Sequence, residues 1–246
     1  MEADRDYYRE ADRTTASLER SSDVLLVIPA YNEADSIERV VDELVASYSQ
    51  FDYIVVTDGS TDGTDMICRR RGYRAIHLPQ NLGLTGSFHV GMQFASEAGY
   101  LYAVQFDGDG QHLPEYIAPL YEKALEGYDL VLGSRFIGLK NKMNGLRHLG
   151  SAMIRMAMHM KAGREVTDPT CGLRMYNKRI IDLFARRTDL APEPNTIALL
   201  IRKGARVAEV PVRVAERTGG QSYLSPVNAA RYMYRMLRSI LFMHTR

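Results

Sequence analysis

The order of apolar and polar positions divides the chain into alternating segments. Residues 24–28 form a continuous apolar run that ends at Pro29, the pattern of a strand buried on both faces. Ile37, Val40, Val41, Leu44, Val45 and Tyr48 then recur at helical spacing and define one apolar face. Asn32 is expected to cap that helix. The alternation continues with strands over 53–56, 74–78, 101–106 and 129–132, and helices over 64–71, 85–98 and 114–126. Gly72 and Gly99 stand where two of these helices should stop. Strand and helix at this rhythm predict βαβ units and a mainly parallel central sheet flanked by helices, a Rossmann-like α/β fold.

Beyond Gly133 the pattern loosens. It predicts a loop over 137–144, a Met-rich helix over 146–161, a return to the sheet over 168–176 and a helix over 195–203. A strand over 206–212, a loop over 218–225 and a final helix over 228–243 complete the chain. Residues 1–22 are polar without a sustained period and predict a mobile arm or an isolated helix. No repeat or linker cuts the rest. The expected organisation is a polar arm (1–22), a single α/β domain (23–225) and a C-terminal amphipathic helix (226–246).

Composition narrows the function classes. With 246 residues, 46% hydrophobic, and a net charge of +1, a disordered chain is excluded and one large domain can bury a substantial core. Near-neutrality argues against a nucleic-acid binder. Cys68 and Cys171 are too few for a disulfide scaffold or a four-thiolate zinc site, and read as reduced thiols of a cytoplasmic protein. The charged N-terminus is no signal peptide, and no apolar run reaches the ~18 residues of a membrane span. The expectation is a cytoplasmic protein, soluble or lying on a membrane. The charge is unevenly spread: residues 130–164 hold seven bases and no acid, and residues 201–246 hold nine bases and two acids. Such asymmetry points to an anionic partner, the alternative being solvated helix faces.

Ligands of open α/β sheets bind at the carboxyl ends of the strands. Three such ends carry polar residues: Pro29 to Glu33, Thr57 to Ser60, and Asp107 to His112. In the third, Asp107 and Asp109 are one residue apart at the end of an apolar strand. Two carboxylates so placed repel unless a cation neutralises them. Oxygen donors on a short turn, with Gln111 as a neutral addition, suit Mg²⁺ or Mn²⁺ completed by water and ligand phosphate. The alternative is a capping turn before the helix at Pro114. His112 is placed to order the turn through a hydrogen bond rather than to bind the metal. Asp58 suits either the N–H of a nucleobase or a helix cap, and Glu33 has the same ambiguity as an acid in a first turn.

These motifs, in order, make the chain resemble the family-2 glycosyltransferases of GT-A fold. The resemblance rests on residues 27–33 (VIPAYNE), 55–64 (VVTDGSTDGT), 81–83 (NLG), 106–112 (FDGDGQH), 133–135 (GSR), 168–174 (DPTCGLR), 210–212 (VPV) and 217–220 (RTGG). The metal turn is most similar to that of dolichyl- and polyprenyl-phosphate sugar synthases. The resemblance implies an inverting transfer from a nucleotide-sugar donor, UDP-sugar favoured over GDP- or dTDP-sugar. Pro29, Ala30, Tyr31, Glu33 and Gly83 would line the nucleotide pocket, Asp58 would face the base, and Asp107, Asp109 and Gln111 would hold the metal against the diphosphate. Asp109 and Arg135 would serve catalysis, the bound ion offsetting charge on the leaving diphosphate. Thr57 departs from the acid common at its position, Leu84 from a base, and Asn195 from an acid.

On the acceptor side, the resemblance places Arg135, Arg147 and Arg174 toward a polyprenyl phosphate or a lipid-linked glycan, in cell-envelope polysaccharide or glycolipid synthesis. A guanidinium fork matches phosphate geometry. A lipid phosphate needs no general base. A sugar hydroxyl does, and Asp168 is then the candidate, with Glu193 as a substitute for the missing acid at Asn195. Asp168 reads equally as a turn residue before Pro169. Arg231, Arg235 and Arg238 share one face of the last helix, with Met233, Met236, Leu237 and Ile240 opposite. Such a helix either lies in a membrane interface or packs on the domain. The Met-rich helix divides the same way, between core or homo-oligomer packing and acceptor or membrane contact. Relatives in the lipid branch often carry two C-terminal membrane helices, so contact here is expected to be peripheral at the inner face of the cell membrane, or through a small membrane partner. The alternative from another class is a non-catalytic subunit that keeps the fold in a glycan-synthesis complex.

Overall fold

The computed structural model describes residues 12–13, 20–138, 145–215 and 226–242, with backbone alone at 12–13, 145–149 and 226–230. Among these residues eight strands form one sheet in the order β1-β4-β3-β2-β5-β7-β6-β8. They are β1 (Asp12–Arg13), β2 (Val24–Ala30), β3 (Asp52–Asp58), β4 (Ala75–Leu78), β5 (Tyr102–Gln105), β6 (Leu130–Ser134), β7 (Arg174–Asn177) and β8 (Val207–Pro211). The helices are α1 (Ile37–Ser47), α2 (Thr64–Arg71), α3 (Gly83–Glu97), α4 (Ile117–Leu125), α5 (Gly145–Ala162), α6 (Lys178–Arg186), α7 (Pro194–Arg202) and α8 (Pro226–Leu241).

The continuous apolar runs become central strands because both sheet faces are covered. Along β2, Leu25 and Val27 enter one apolar cluster with Phe88, Met92, Ile154 and Phe184. Val24, Leu26 and Ile28 enter the other, with Val40, Leu44, Ile117 and Leu120. The period of two along the strand thus feeds two cores, and helices close both sides.

Strands β4, β3, β2 and β5 are mutually parallel, as are β6 and β8. β7 runs antiparallel to both β5 and β6, so β5 and β6 point the same way. The carboxyl ends of β2, β3, β5 and β6 therefore share one edge of the sheet, and the loop entering β7 arrives there too.

Three expectations change. Residues 12–13 are neither mobile arm nor helix: they pair antiparallel with β4, Asp12 opposite His77. Ser21 and Ser22 then donate backbone N–H groups to Asp52 at 2.9 Å each, fastening the entry to β2 against β3. Asn32 does not cap α1; it has φ 55°, and the helix begins five residues later behind Ser36. Helix α6 was not read from the sequence. It starts at Asn177, whose side chain accepts the Ile180 N–H at 3.1 Å.

Candidate active site

The first two strand-end loops are fastened together by side chains. Ser60 Oγ accepts the Asn32 N–H (3.1 Å), Thr64 Oγ1 that of Glu33 (2.9 Å) and Asp62 that of Ala34 (2.9 Å). In return, Asn32 Oδ1 accepts the Thr61 N–H at 2.8 Å. Burial pushes the Asp62 carboxyl up, but the Thr64 hydroxyl and the Ala34 and Thr64 amides outweigh it and hold it below the usual range. Pro29, Ala30, Tyr31 and Glu33 thus sit on a loop held in one shape. Ser36 joins this loop to the acidic turn, its Oγ lying 2.9 Å from Glu33 Oε2 and 2.8 Å from the Gly108 carbonyl.

Asp58, at the end of β3, is buried. Its Oδ1 accepts the Leu82 N–H at 2.7 Å, just ahead of α3. Both sequence readings named a cap or a base acceptor. The observed cap belongs to α3, reached across space, rather than to the helix that follows β3. Burial lifts the Asp58 carboxyl above its ordinary value, in spite of the Leu82 and Gly83 amides. Gly59 has φ +62°, and a Cβ there would lie 2.6 Å from the Gln80 carbonyl carbon. Only glycine lets this loop press on the backbone that leads to Gly83.

The acidic turn follows β5. His112 Nδ1 accepts the Asp107 N–H at 3.0 Å, which leaves the ring proton on Nε2, 3.4 Å from Asp107 Oδ2. The histidine therefore aims the Asp107 carboxylate, as expected. The Asp109 side chain accepts the Gln111 N–H at 2.9 Å. A Cβ on Gly172 would stand 3.1 Å from Asp107 Oδ2, so the 168–174 loop passes directly over the turn. The segment after β8 crosses as well, with Ala215 N–H on the Gln111 carbonyl at 2.9 Å.

Among the described residues no three or more His, Cys, Asp and Glu side chains cluster as a metal site. The donors on this turn are hard oxygens, Asp107 half-buried and Asp109 nearly buried. A small set of carboxylate donors fits Mg²⁺ or Mn²⁺, which keep water and ligand phosphate in their other positions.

The fourth part of the site lies at the end of β6. Arg135 donates from its backbone N (3.0 Å) and Nε (2.7 Å) to Asp168 Oδ2, and from Nη2 (2.9 Å) to Oδ1. Thr170 Oγ1 donates to Oδ1 at 3.0 Å and accepts a second bond from Nη2 at 2.8 Å. Asp168 is 0% exposed, while the Arg135 side chain keeps 21%. Asp168 opposes burial's pull on the guanidinium, and its hydrogen bonds and charge raise the Arg135 pKa above the usual value. Burial first, and then the Asp168 charge, push the neighbouring Cys171 thiol up to about 11, so it stays protonated.

These contacts correct three expected roles. Asp168 is not an open base: its two oxygens accept four hydrogen bonds, which fills a carboxylate. Arg174 does not face an acceptor: it is 3% exposed and donates to the carbonyls of Cys171 (2.8 Å), Pro192 (2.6 Å) and Pro169 (3.0 Å). It staples the 168–171 loop to the entrance of α7. The substitute base fares no better, because Glu193 Oε1 pairs with Arg235 Nη2 at 2.9 Å. Arg147 lies in the first turn of α5, and its side chain is outside the described residues, as are residues 217–220.

Helix α8 packs on the domain through buried Met236 and Ile240, through Arg235 to Glu193, and through Asn195 Nδ2 to Ser239 Oγ at 3.0 Å. Arg231 and Arg238 are exposed. Met156 and Met160 on α5, Tyr234 on α8 and Phe242 just past its end are also more than 60% exposed (63%, 61%, 68% and 71%). Among the described residues no helix is long and apolar enough to cross a membrane.

Three comparisons agree with this architecture. The family model described as glycosyl transferase family 2 matches residues 25–184. The undecaprenyl-phosphate mannosyltransferase of Micrococcus luteus is 32% identical over 82% of this chain and 87% of its own. The polyprenol monophosphomannose synthase of Mycolicibacterium smegmatis is 28% identical over 92% of this chain and 90% of its own. The glucosyl-3-phosphoglycerate synthase of Mycobacterium tuberculosis, solved with Mg²⁺ and UDP, superposes with a TM-score of 0.63 at 20% identity over 90% of this chain and 80% of that one. At that identity the likeness speaks for the GT-A fold alone. With four strand ends converging on a fastened loop, an acidic turn and a clamped arginine, and with the family match spanning most of the domain, the chain belongs to glycosyl transferase family 2.

Proposed function

We propose that this glycosyltransferase moves a sugar from a nucleotide-sugar donor to a lipid phosphate, with inversion at the anomeric carbon. One observation carries the acceptor class. Among the described residues the two acids expected as bases are already engaged, Asp168 by Arg135 and Glu193 by Arg235, and Asn195 is an amide. A hydroxyl acceptor needs a base within reach of its proton, whereas an ionised phosphate needs none. The names of the relatives support the same class: two are transferases or synthases of undecaprenyl or polyprenol phosphate, and a third, 30% identical over 77% of this chain, is the UDP-N-acetylglucosamine–dolichyl-phosphate N-acetylglucosaminyltransferase of Methanococcus voltae.

On this reading a phosphate oxygen attacks the anomeric carbon as the bond to the nucleoside diphosphate breaks, and the diphosphate carries away the electron pair. Asp107 and Asp109, with Gln111, would hold a divalent ion, which supplies charge neutralisation at the leaving diphosphate. Pro29, Ala30, Tyr31, Glu33, Asp58 and Gly83 shape the nucleotide side. Arg135, with Arg147, attracts the acceptor phosphate. Its Nε edge is occupied by Asp168, which fixes the direction of the rest of the fork.

The exposed Met156 and Met160 of α5, Tyr234 of α8 and Phe242 just beyond it, among arginines, support peripheral contact with an anionic membrane surface at the cytoplasmic face, where such a lipid would be met. The donor is tested by a thermal-shift panel of UDP-, GDP- and dTDP-sugars with Mn²⁺ or Mg²⁺, because a ligand of the native state raises the midpoint by mass action. One nucleotide series should shift it, and only with metal. No shift from any of them contradicts the donor class.

A further inference from the structure

Glu209 lies in β8, in register with Leu132 of β6, and no motif singled it out. Its carboxylate accepts the Thr167 N–H on both oxygens (3.0 and 2.8 Å), the Thr167 hydroxyl (2.7 Å) and the Asp168 N–H (2.9 Å). Thr167 Oγ1 has one proton, which it gives to Glu209, so the bond of 2.7 Å to Ser134 Oγ runs from Ser134 to Thr167. The Thr167 and Asp168 donors point at Glu209 directly, and Ser134 joins them through the Thr167 hydroxyl. Ser134 immediately precedes Arg135, and Asp168 is the residue that clamps Arg135. The carboxylate thus fixes both partners of the Arg135–Asp168 pair through their neighbours.

We infer that Glu209 is a positioning residue: its carboxylate sets the 167–168 backbone, which sets the Asp168 carboxylate, which aims the Arg135 guanidinium into the site. Two features favour aiming over bulk stability. The cluster ends on a guanidinium that keeps one exposed side, not in the apolar core. Glu209 also faces donors at both oxygen positions: Oε1 takes the Thr167 N–H, the Thr167 hydroxyl and the Asp168 N–H, and Oε2 lies 2.8 Å from the Thr167 nitrogen. A glutamine with its oxygen in the Oε1 place would set its N–H₂ against the Thr167 N–H, and turned over it would leave the Thr167 hydroxyl and the Asp168 N–H facing a donor. That the aimed guanidinium meets an acceptor phosphate rests on the function proposed above; the positioning itself does not.

The test uses the full chain labelled uniformly with ¹⁵N, in which backbone amides and arginine Nε–H groups are both read. The Arg135 Nε–H resonance is assigned by its absence in Arg135→Lys, and its hydrogen exchange is measured in wild type, Glu209→Gln and Thr167→Val. In both latter variants, exchange of this one group should speed up by about tenfold or more, with core amide exchange unchanged. Unchanged Arg135 exchange in both variants overturns the inference. Acceleration spread evenly through the core amides in both also overturns it, since that marks global destabilisation. Farnesyl phosphate is then titrated into each protein. It should perturb the Arg135 resonance in wild type, and bind about tenfold more weakly in Glu209→Gln. If wild type shows no response to farnesyl phosphate, the acceptor class proposed above fails, while the exchange data still decide the role of Glu209.

Discussion

Replacing Asp168 with asparagine keeps the side chain's shape and removes its charge. The carboxylate is fully buried and holds Arg135 through three hydrogen bonds, two of them to the guanidinium. Asparagine offers one oxygen and sets an N–H₂ against a donor. Removing one partner of a buried ion pair costs about 3–5 kcal/mol. The 21% exposure of Arg135 lets water recover part of this, which places the cost near the lower end, about 3 kcal/mol. For a chain of this size that is a fall in the melting midpoint of roughly 6–12 °C. Arg135→Met should cost as much or more, because it strands a carboxylate with no exposure. The double variant Asp168→Asn, Arg135→Met should then lose less than the sum, with a coupling energy of about 2–3 kcal/mol. Scanning calorimetry or urea unfolding reads these values. Transfer activity should fall in both single variants without either limb of the pH–rate profile disappearing. The reasoning is refuted if Asp168→Asn melts within about 1 °C of wild type, well inside the shift expected above, yet loses one limb of that profile. That result would make Asp168 a titrating base.

Other outcomes follow from the same contacts. Asp52 is buried beneath Ser21, Ser22, Tyr100 and Arg74; burial raises its carboxyl, but the hydrogen bonds from Ser21, Ser22 and Tyr100 prevail and its pKa is lowered. A lowered folded pKa gives stability that is present above the unfolded value of about 3.9 and lost as pH falls through the folded value. Asp52→Asn should therefore cost about 1–3 kcal/mol at pH 7, and the difference from wild type should shrink below about pH 4 in denaturant titrations. Gly59→Ala forces a side chain into φ +62° and against Gln80; it should cost at least about 1–3 kcal/mol and weaken nucleotide binding by calorimetry, since the loop leads to Gly83. Met156→Glu with Tyr234→Glu should reduce sedimentation with phosphatidylglycerol vesicles while leaving the melting midpoint near wild type, because both side chains are exposed.

The sheet and its helices were legible in the sequence because central strands buried on both faces show as unbroken apolar runs, and 24–28 and 53–56 are of that kind. The acidic turn was legible because Asp107, Asp109 and His112 lie within six positions. The clamp was not, since Arg135 and Asp168 are 33 residues apart and Glu209 reaches Thr167 across 42. Arg174 misled for a related reason. The resemblance carried it to the acceptor side with the 168–174 segment, and only the fold reveals three backbone carbonyls turned toward it. Helix α6 left a usable signal in Asn177 three residues ahead of Ile180, with Ile181 and Phe184 completing its apolar face.

Phosphate as the acceptor is the central claim about this enzyme. The direct measurement incubates the enzyme with the labelled nucleotide sugar that the thermal-shift panel selects, Mn²⁺, and either undecaprenyl phosphate or undecaprenol. The expected product is an organic-extractable, mild-acid-labile labelled lipid from the phosphate alone, abolished by EDTA and by Asp109→Ala. Equal transfer to the alcohol, or label on the phosphate lipid that persists after both treatments, would contradict it.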